Sequence, residues 1–369
     1  MPALYGARYD RIELLRRVGR LEQVAGVRLV TAGDGIERGV RMLEFRTGTG
    51  FSFDVLVDRA FDIGRCEMNG TPLGWMSPNG VVGPWFAEAE GLGWFRYFPG
   101  GLVSTAGLDH TLLGGEDTAA HFNQPHLKTT EAYGLMGRVW MLPARLTGYG
   151  ETWNGEELVL WAEGVVQQVA IFGENITLRR RIEARVGESS FRIHDELENT
   201  GFTTTTHMLL YHCNVGFPIV DEGSRLLVPG PGLATDPAPA GSYRTLDGPI
   251  ANYTERCFEH DPVTAPDGTV PVGIVNDRLG MGVYQLFNKR QLPFQTTWRM
   301  PAEGLNVIAL EASTNRDAGR FDARERGELQ ELAPGERRTY DLEMGSLVGG
   351  DQVDAFIARV GRLDPQAVA

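Results

Sequence analysis

The chain has 369 residues, 42% hydrophobic and 22% charged, which provides for a sizeable buried core and argues against disorder on a large scale. Its formal charge is −13, and no run of Lys or Arg is long enough to track phosphates, so nucleic acid is excluded as a natural partner. Cys66, Cys213 and Cys257 lie far apart with no CxxC pair, which excludes a disulfide framework and a cysteine-based zinc site; all three read as reduced and buried. Residues Met1 to Arg20 carry charges throughout, and no segment offers the ~18 apolar residues of a membrane span, so a cytoplasmic protein with no membrane partner is expected.

Leu14, Val18 and Leu21 fall on one stripe and predict a short helix within an N-terminal segment 1–25. Val40 to Thr47 and the alternating Phe51-Ser-Phe53-Asp-Val55-Leu-Val57 predict a hairpin around Gly48-Thr-Gly50. Residues 70–135, rich in Gly, Pro, Trp and Phe, read as a long functional loop, and 229–249 and 260–272 as surface connections. Further strands are expected at 157–162, 168–172, 176–184, 191–199, 203–214, 273–275, 282–287, 294–300, 306–313 and 337–344. The basic clusters Arg179-Arg180-Arg181 and Arg337-Arg338 sit in such strands and read as solvated faces. Asp351 as N-cap and the stripe Val353, Phe356, Ile357, Val360 predict a closing helix at 351–363, packed on the core or at a contact in a homo-oligomer. Many strands without βαβ alternation imply antiparallel sheets packed face to face, taken here as one domain over 1–369.

Two of these strands carry polar residues where apolar ones are expected. Alternation in 203–214 puts Met208, Leu210, His212 and Asn214 on one face and His207, Leu209, Tyr211 and Cys213 on the other. His212 and Asn214, about 6–7 Å apart along the strand, reach one small ligand, unless His212 is a core imidazole satisfied by a backbone carbonyl. Glu311 continues the face that Leu305, Val307 and Ala309 make apolar, where burial raises a carboxyl pKa and so prepares a base. A strand end in solvent, or an ion pair with Arg299 or Arg316, is the structural alternative.

Tyr211-His212-Cys-Asn214-Val-Gly216-Phe-Pro218 resembles the catalytic-histidine strand of the aldose 1-epimerase (galactose mutarotase) superfamily, and Ala309-Leu-Glu311-Ala-Ser-Thr-Asn315 resembles its catalytic-glutamate strand. Asp58-Arg59-Ala-Phe-Asp62-Ile-Gly64, Gly100-Gly-Leu102, Ala106-Gly-Leu108 and Trp298-Arg299-Met300 are similar to an uncharacterised branch, the DUF4432 proteins. The resemblance covers most of residues 40–345. It implies an all-β galactose-mutarotase-like supersandwich with short terminal helices, no cofactor, and a sugar as small-molecule partner. It further implies that Glu311 takes the proton of an anomeric hydroxyl while His212 gives one to the ring oxygen. In many relatives a histidine precedes a Gly-Arg pair; here Met136 stands before Gly137-Arg138, and a thioether donates no hydrogen bond.

The remaining candidates surround this pair. Arg59, Arg138 and Arg299 are candidate holders of a ligand hydroxyl or carboxylate, and Asn214 and Trp298 complete the expected sugar contacts. His110, His121 and His126 crowd a segment with Glu116, Asp117 and Glu131; His110 and His126 are candidate sugar contacts or, with a carboxylate, ligands of a divalent metal. Trp75, Trp85, Trp94, Phe95, Tyr97 and Phe98 either line a sugar pocket or pack a loop. Three functions fit: a mutarotase-like isomerase, a sugar isomerase or lyase with or without metal, and a binding module without turnover.

Overall fold

A computed structural model describes residues 1–234 and 243–368; part of the 229–249 connection therefore lies outside the described residues. Strands make up 45% and helices 12% of the structure. Three antiparallel sheets dominate. The largest has eight strands in the order Arg145–Asn154, Glu157–Val169, Asn175–Arg185, Ser190–Asn199, Arg337–Val348, Met281–Asn288, Thr269–Asn276, Arg225–Leu227. The second runs Gly232–Ala234, Arg256–His260, Phe294–Met300, Val307–Ser313, Thr205–Val215, and the last of these also pairs with Ser104–Leu108 and Gln330–Leu332. The third, Gly26–Thr31, Arg41–Arg46, Phe51–Leu56, Asp62–Met68, Thr71–Pro72, contains the expected hairpin. All three bury side chains in one shared cluster, exemplified by Phe53, Leu160, Phe191 and Leu209, with the Phe53 and Phe191 rings 4.8 Å apart.

Several expectations need correction. The strands expected at 157–162 and 168–172 are one, Glu157–Val169; Gly164 between them does not turn the chain but leaves room for Phe61, whose ring would lie 2.8 Å from an added Cβ. The 70–135 segment is not all loop, since Trp94–Tyr97 is helical and Ser104–Leu108 joins the second sheet. The surface connections likewise hold the strand Gly232–Ala234 and the start of Thr269–Asn276. The closing helix spans Gly350–Leu363 with Gly349, not Asp351, as its N-cap. Its Val353, Phe356 and Val360 pack on Leu227, Val275 and Leu347, so the stripe faces the core. At the other end the α-helix is confined to Arg11–Leu15, capped by Asp10. Cys257 is only half-buried, unlike Cys66 and Cys213. Among the described residues no helix is long and apolar enough to cross a membrane.

The most consequential correction is Arg180. Pleating that turns Arg179 and Arg181 outward turns Arg180 inward, where its side chain is 0% exposed. Its Nε and Nη2 bond Asp195 at 2.8 and 2.7 Å, its Nη1 bonds Asp62 at 2.6 Å, and its Nη2 also reaches Thr105 Oγ1 at 2.9 Å. Tyr211 donates to Asp195 from behind at 2.6 Å. Burial works against the guanidinium, but Asp195 and Asp62 outweigh it and raise its pKa. Removing one member of such a buried ionic group leaves the others uncompensated. Arg180→Leu should therefore cost about 3–5 kcal/mol of stability, measured by urea unfolding, and adding Asp62→Asn and Asp195→Asn should recover part of it.

Candidate active site

The strands Thr205–Val215 and Val307–Ser313 are neighbours, and His212 and Glu311 are register partners on them. One row runs across five strands: Ser104, His212, Glu311, Thr296, Glu259. His212 Nε2 and Glu311 Oε1 stand 3.5 Å apart, with the residues 3% and 2% exposed. The other ring nitrogen, Nδ1, lies 2.6 Å from Asn214 Oδ1. Asn214 Nδ2 donates to the carbonyls of Gly101 and His212, both at 3.0 Å, so its oxygen must face the imidazole. Nδ1 accordingly carries the proton, and the Nε2 lone pair points at Glu311. Burial pulls the imidazole down to about 4 against the Asn214 bond. Burial, then the charges of Asp317 and Glu255, push the Glu311 carboxyl well above its usual range. The pair is thus favoured as neutral imidazole and carboxylic acid, sharing one mobile proton. The carbonyl-bound core imidazole is a different residue, His207, which contacts Leu108 O at 3.0 Å and the Tyr340 hydroxyl at 2.7 Å.

Both groups open into a cavity of about 180 Å³. Trp94, Phe95 and Trp298 provide its aromatic wall, and Leu112, Leu135 and Met136 its aliphatic one. Phe98 and Trp298 pack edge-on to the His212 ring at 5.3 and 5.5 Å. Phe95 and Leu113 line the cavity yet are 55% and 72% exposed, which marks its mouth. Met136, the residue before Gly137-Arg138, lies in the wall.

A family model described as a domain of unknown function, DUF4432, matches residues 37–345. The chain belongs to the DUF4432 family. No curated protein matches it. Among solved structures it is similar to a Klebsiella pneumoniae protein proposed to be an aldose 1-epimerase, with 22% identity, TM-score 0.80, and coverage of 93% of this chain and 90% of that one. It is also similar to a galactose mutarotase-like protein from Clostridium acetobutylicum (10% identity, TM-score 0.60, 87% and 98% covered) and to a galactose mutarotase related enzyme from Lactobacillus acidophilus (12%, 0.57, 83% and 97%). The DUF4432 chain shares their galactose-mutarotase-like fold.

Of the expected sugar contacts, this DUF4432 structure brings Asn214 and Trp298 to the His212–Glu311 pair and leaves the others elsewhere. Arg59, 2% exposed, donates to the carbonyls of Trp140, Val82 and Tyr97 at 3.0, 2.6 and 2.8 Å, tying down the loop. Arg299 points to the opposite face from Trp298, toward Tyr243 O and Asp247. Arg138 pairs with Glu174 in a separate cavity of about 580 Å³. His110 is fully buried against Tyr133, their rings 5.0 Å apart, whereas His126 is exposed on a turn. These two do not converge, and among the described residues no group of three or more His, Cys, Asp or Glu is placed to hold a metal. In the DUF4432 motif, Arg59 thus bonds backbone carbonyls, and Asp62 bonds Thr105 and Arg180.

Sequence reasoning missed Glu255, Cys257 and Asp317, which line the cavity. The signal for Glu255 was weak but present: it lies two residues before Cys257, the register partner of Trp298, and so continues the same face. The Asn214 contact makes a direct prediction. In Asn214→Asp a carboxylate faces Nδ1, so the His212 pKa should rise from about 4 toward neutrality, followed by NMR titration of its ring protons.

Proposed function

We propose that this protein is an enzyme acting on a sugar or sugar derivative, with His212 and Glu311 moving protons at its anomeric carbon in the manner of an aldose 1-epimerase. The observation that carries this is the 3.5 Å contact between His212 Nε2 and Glu311 Oε1 at an aromatic-walled cavity, with Asn214 fixing the imidazole. His212 and Glu311 are register partners on neighbouring strands, so the two groups stand side by side. Side by side suits the chemistry, because the anomeric hydroxyl and the ring oxygen are bonded to the same carbon.

Shifting the shared proton from Glu311 to His212 produces carboxylate and imidazolium. Glu311 then takes the anomeric hydroxyl proton while His212 Nε2 gives its proton to the ring oxygen, and the C1–O5 bond breaks to leave an open-chain aldehyde. Rotation about the adjacent C–C bond and reclosure, with both protons returned, yields the other anomer. No electrons leave the sugar. The carbohydrate partner follows from the same logic: flat rings suit C–H faces, and the polar pair addresses the hemiacetal.

Anomer exchange measured by polarimetry or NMR tests this. Glu311→Gln keeps the shape but removes the proton acceptor, and should slow exchange by about 10²–10⁴ while sugar binding persists; an unaltered rate would remove the proposal. The pH dependence has a defined sign. The pair holds one proton above the His212 value of about 4 and below the raised value of Glu311. Exchange should fall below about pH 4, where His212 takes a second proton, and fall again at high pH as Glu311 loses its own.

A further inference from the structure

The ionic lining of the cavity is one-sided. Glu255, Glu311 and Asp317 all contribute carboxyl groups, and among the described residues its lining includes neither Lys nor Arg. Residues 235–242 contain neither as well. Three basic side chains near the site are turned to other partners: Arg316 bonds Glu259 and Glu328, Arg299 bonds Asp247, and Arg96 bonds Glu88. His212, the imidazole in the lining, is held neutral by burial. Glu255 is fixed at the wall by Trp298, whose Nε1 donates to it at 2.8 Å. Glu311 is 2% exposed, and its polar neighbour is His212, whose Nε2 stands 3.5 Å from Oε1. A buried carboxyl aimed into an open space, two more carboxyls around it, and three aromatic rings beside them together describe a place for a cation.

We propose that the cavity selects a sugar carrying a positively charged amino group over the same sugar without it, and rejects sugars bearing phosphate or carboxylate. Its catalytic half rests on the acid–base function proposed above; its binding half does not. The charge of the ligand also sets the state of Glu311. Asp317 and Glu255 push its pKa up, and an ammonium group among them opposes that push, favouring the carboxylate that accepts the anomeric proton. An anionic substituent reinforces the push and leaves the carboxyl protonated.

The full chain is titrated calorimetrically with amino-deoxy hexoses bearing the amine at C2 or at C6, with the parent hexoses, and with hexose 6-phosphates and uronates. Anomer exchange of each is followed in parallel by NMR. At least one amino sugar should bind about tenfold or more tighter than its parent, a Coulombic preference of about 1.4 kcal/mol, and the anionic sugars should bind most weakly. Glu255→Gln and Asp317→Asn, at positions outside the packed core, should each bring the ratio of amino to parent affinity toward one. A parent or anionic sugar that binds as tightly as the best amino sugar overturns the proposal. So does the absence of binding by every amino sugar, or a ratio unchanged in both variants. Ordered binding without anomer exchange strikes the proposed reaction and leaves the charge preference standing.

Discussion

The buried guanidinium of Arg180 is the constraint on which the rest depends. It belongs to the eight-stranded sheet, as does Asp195; Asp62 comes from the five-stranded sheet, and Thr105 and Tyr211 from the sheet that carries the site. A charge with no solvent tolerates little displacement of its partners, because each hydrogen bond lost is a desolvation cost not offset. Three sheets are thereby held in register about one point. Two of the groups held are neighbours in sequence of site residues: Tyr211 precedes His212, and Thr105 follows Ser104, the register partner of His212. The imidazole is positioned from behind by a network it never touches.

The strand Thr205–Val215 separates two kinds of chemistry by pleating alone. Leu209, Tyr211 and Cys213 enter the shared core, while Leu210 joins a second cluster with Trp75, Trp94 and Phe98 on the site side. Every residue of this strand is buried, so the low dielectric that makes Arg180 a rigid tie also shifts the His212 and Glu311 pKa values toward each other's usual ranges. The tautomer is set by backbone alone at the end of the chain of contacts. Gly101 O orients Asn214, and Gly101 lies at φ +81°, with Ile63 O only 2.6 Å from where a Cβ would stand. A side chain at that position would displace the carbonyl that fixes the amide that fixes the imidazole.

What the sequence made legible follows from period-two alternation, and what it hid follows from contacts that alternation does not encode. The two faces of 203–214 and the polar positions His212, Asn214 and Glu311 were readable because polar residues interrupt an otherwise apolar face. Arg180 was not read correctly, since three consecutive arginines look like a solvated run; the pleat still requires the middle one to face opposite to its neighbours. Gly164 and Gly107 both mark close approach, to Phe61 and to Met208 O. The strand Ser104–Leu108 was hidden in a Gly-rich segment for that reason.

The arginines of the family motifs illustrate a more general ambiguity. An arginine in a glycine- and aromatic-rich segment invites a role in binding anionic or hydroxylated ligands, because its planar fork matches both. The same fork matches backbone carbonyls, and long irregular segments have many carbonyls that no ladder satisfies. Arg59 is bonded to three of them, and burial lowers its pKa to about 10 without freeing a face toward the cavity. Arg138 and Arg299 are drawn to Glu174 and Asp247. With all three withdrawn, the electrostatic character of the cavity falls to the residues that remain, and those are carboxyls. The scaffold consumes the positive charge of its own motifs, and the negative charge left beside Glu311 becomes the property by which the cavity distinguishes one ligand from another.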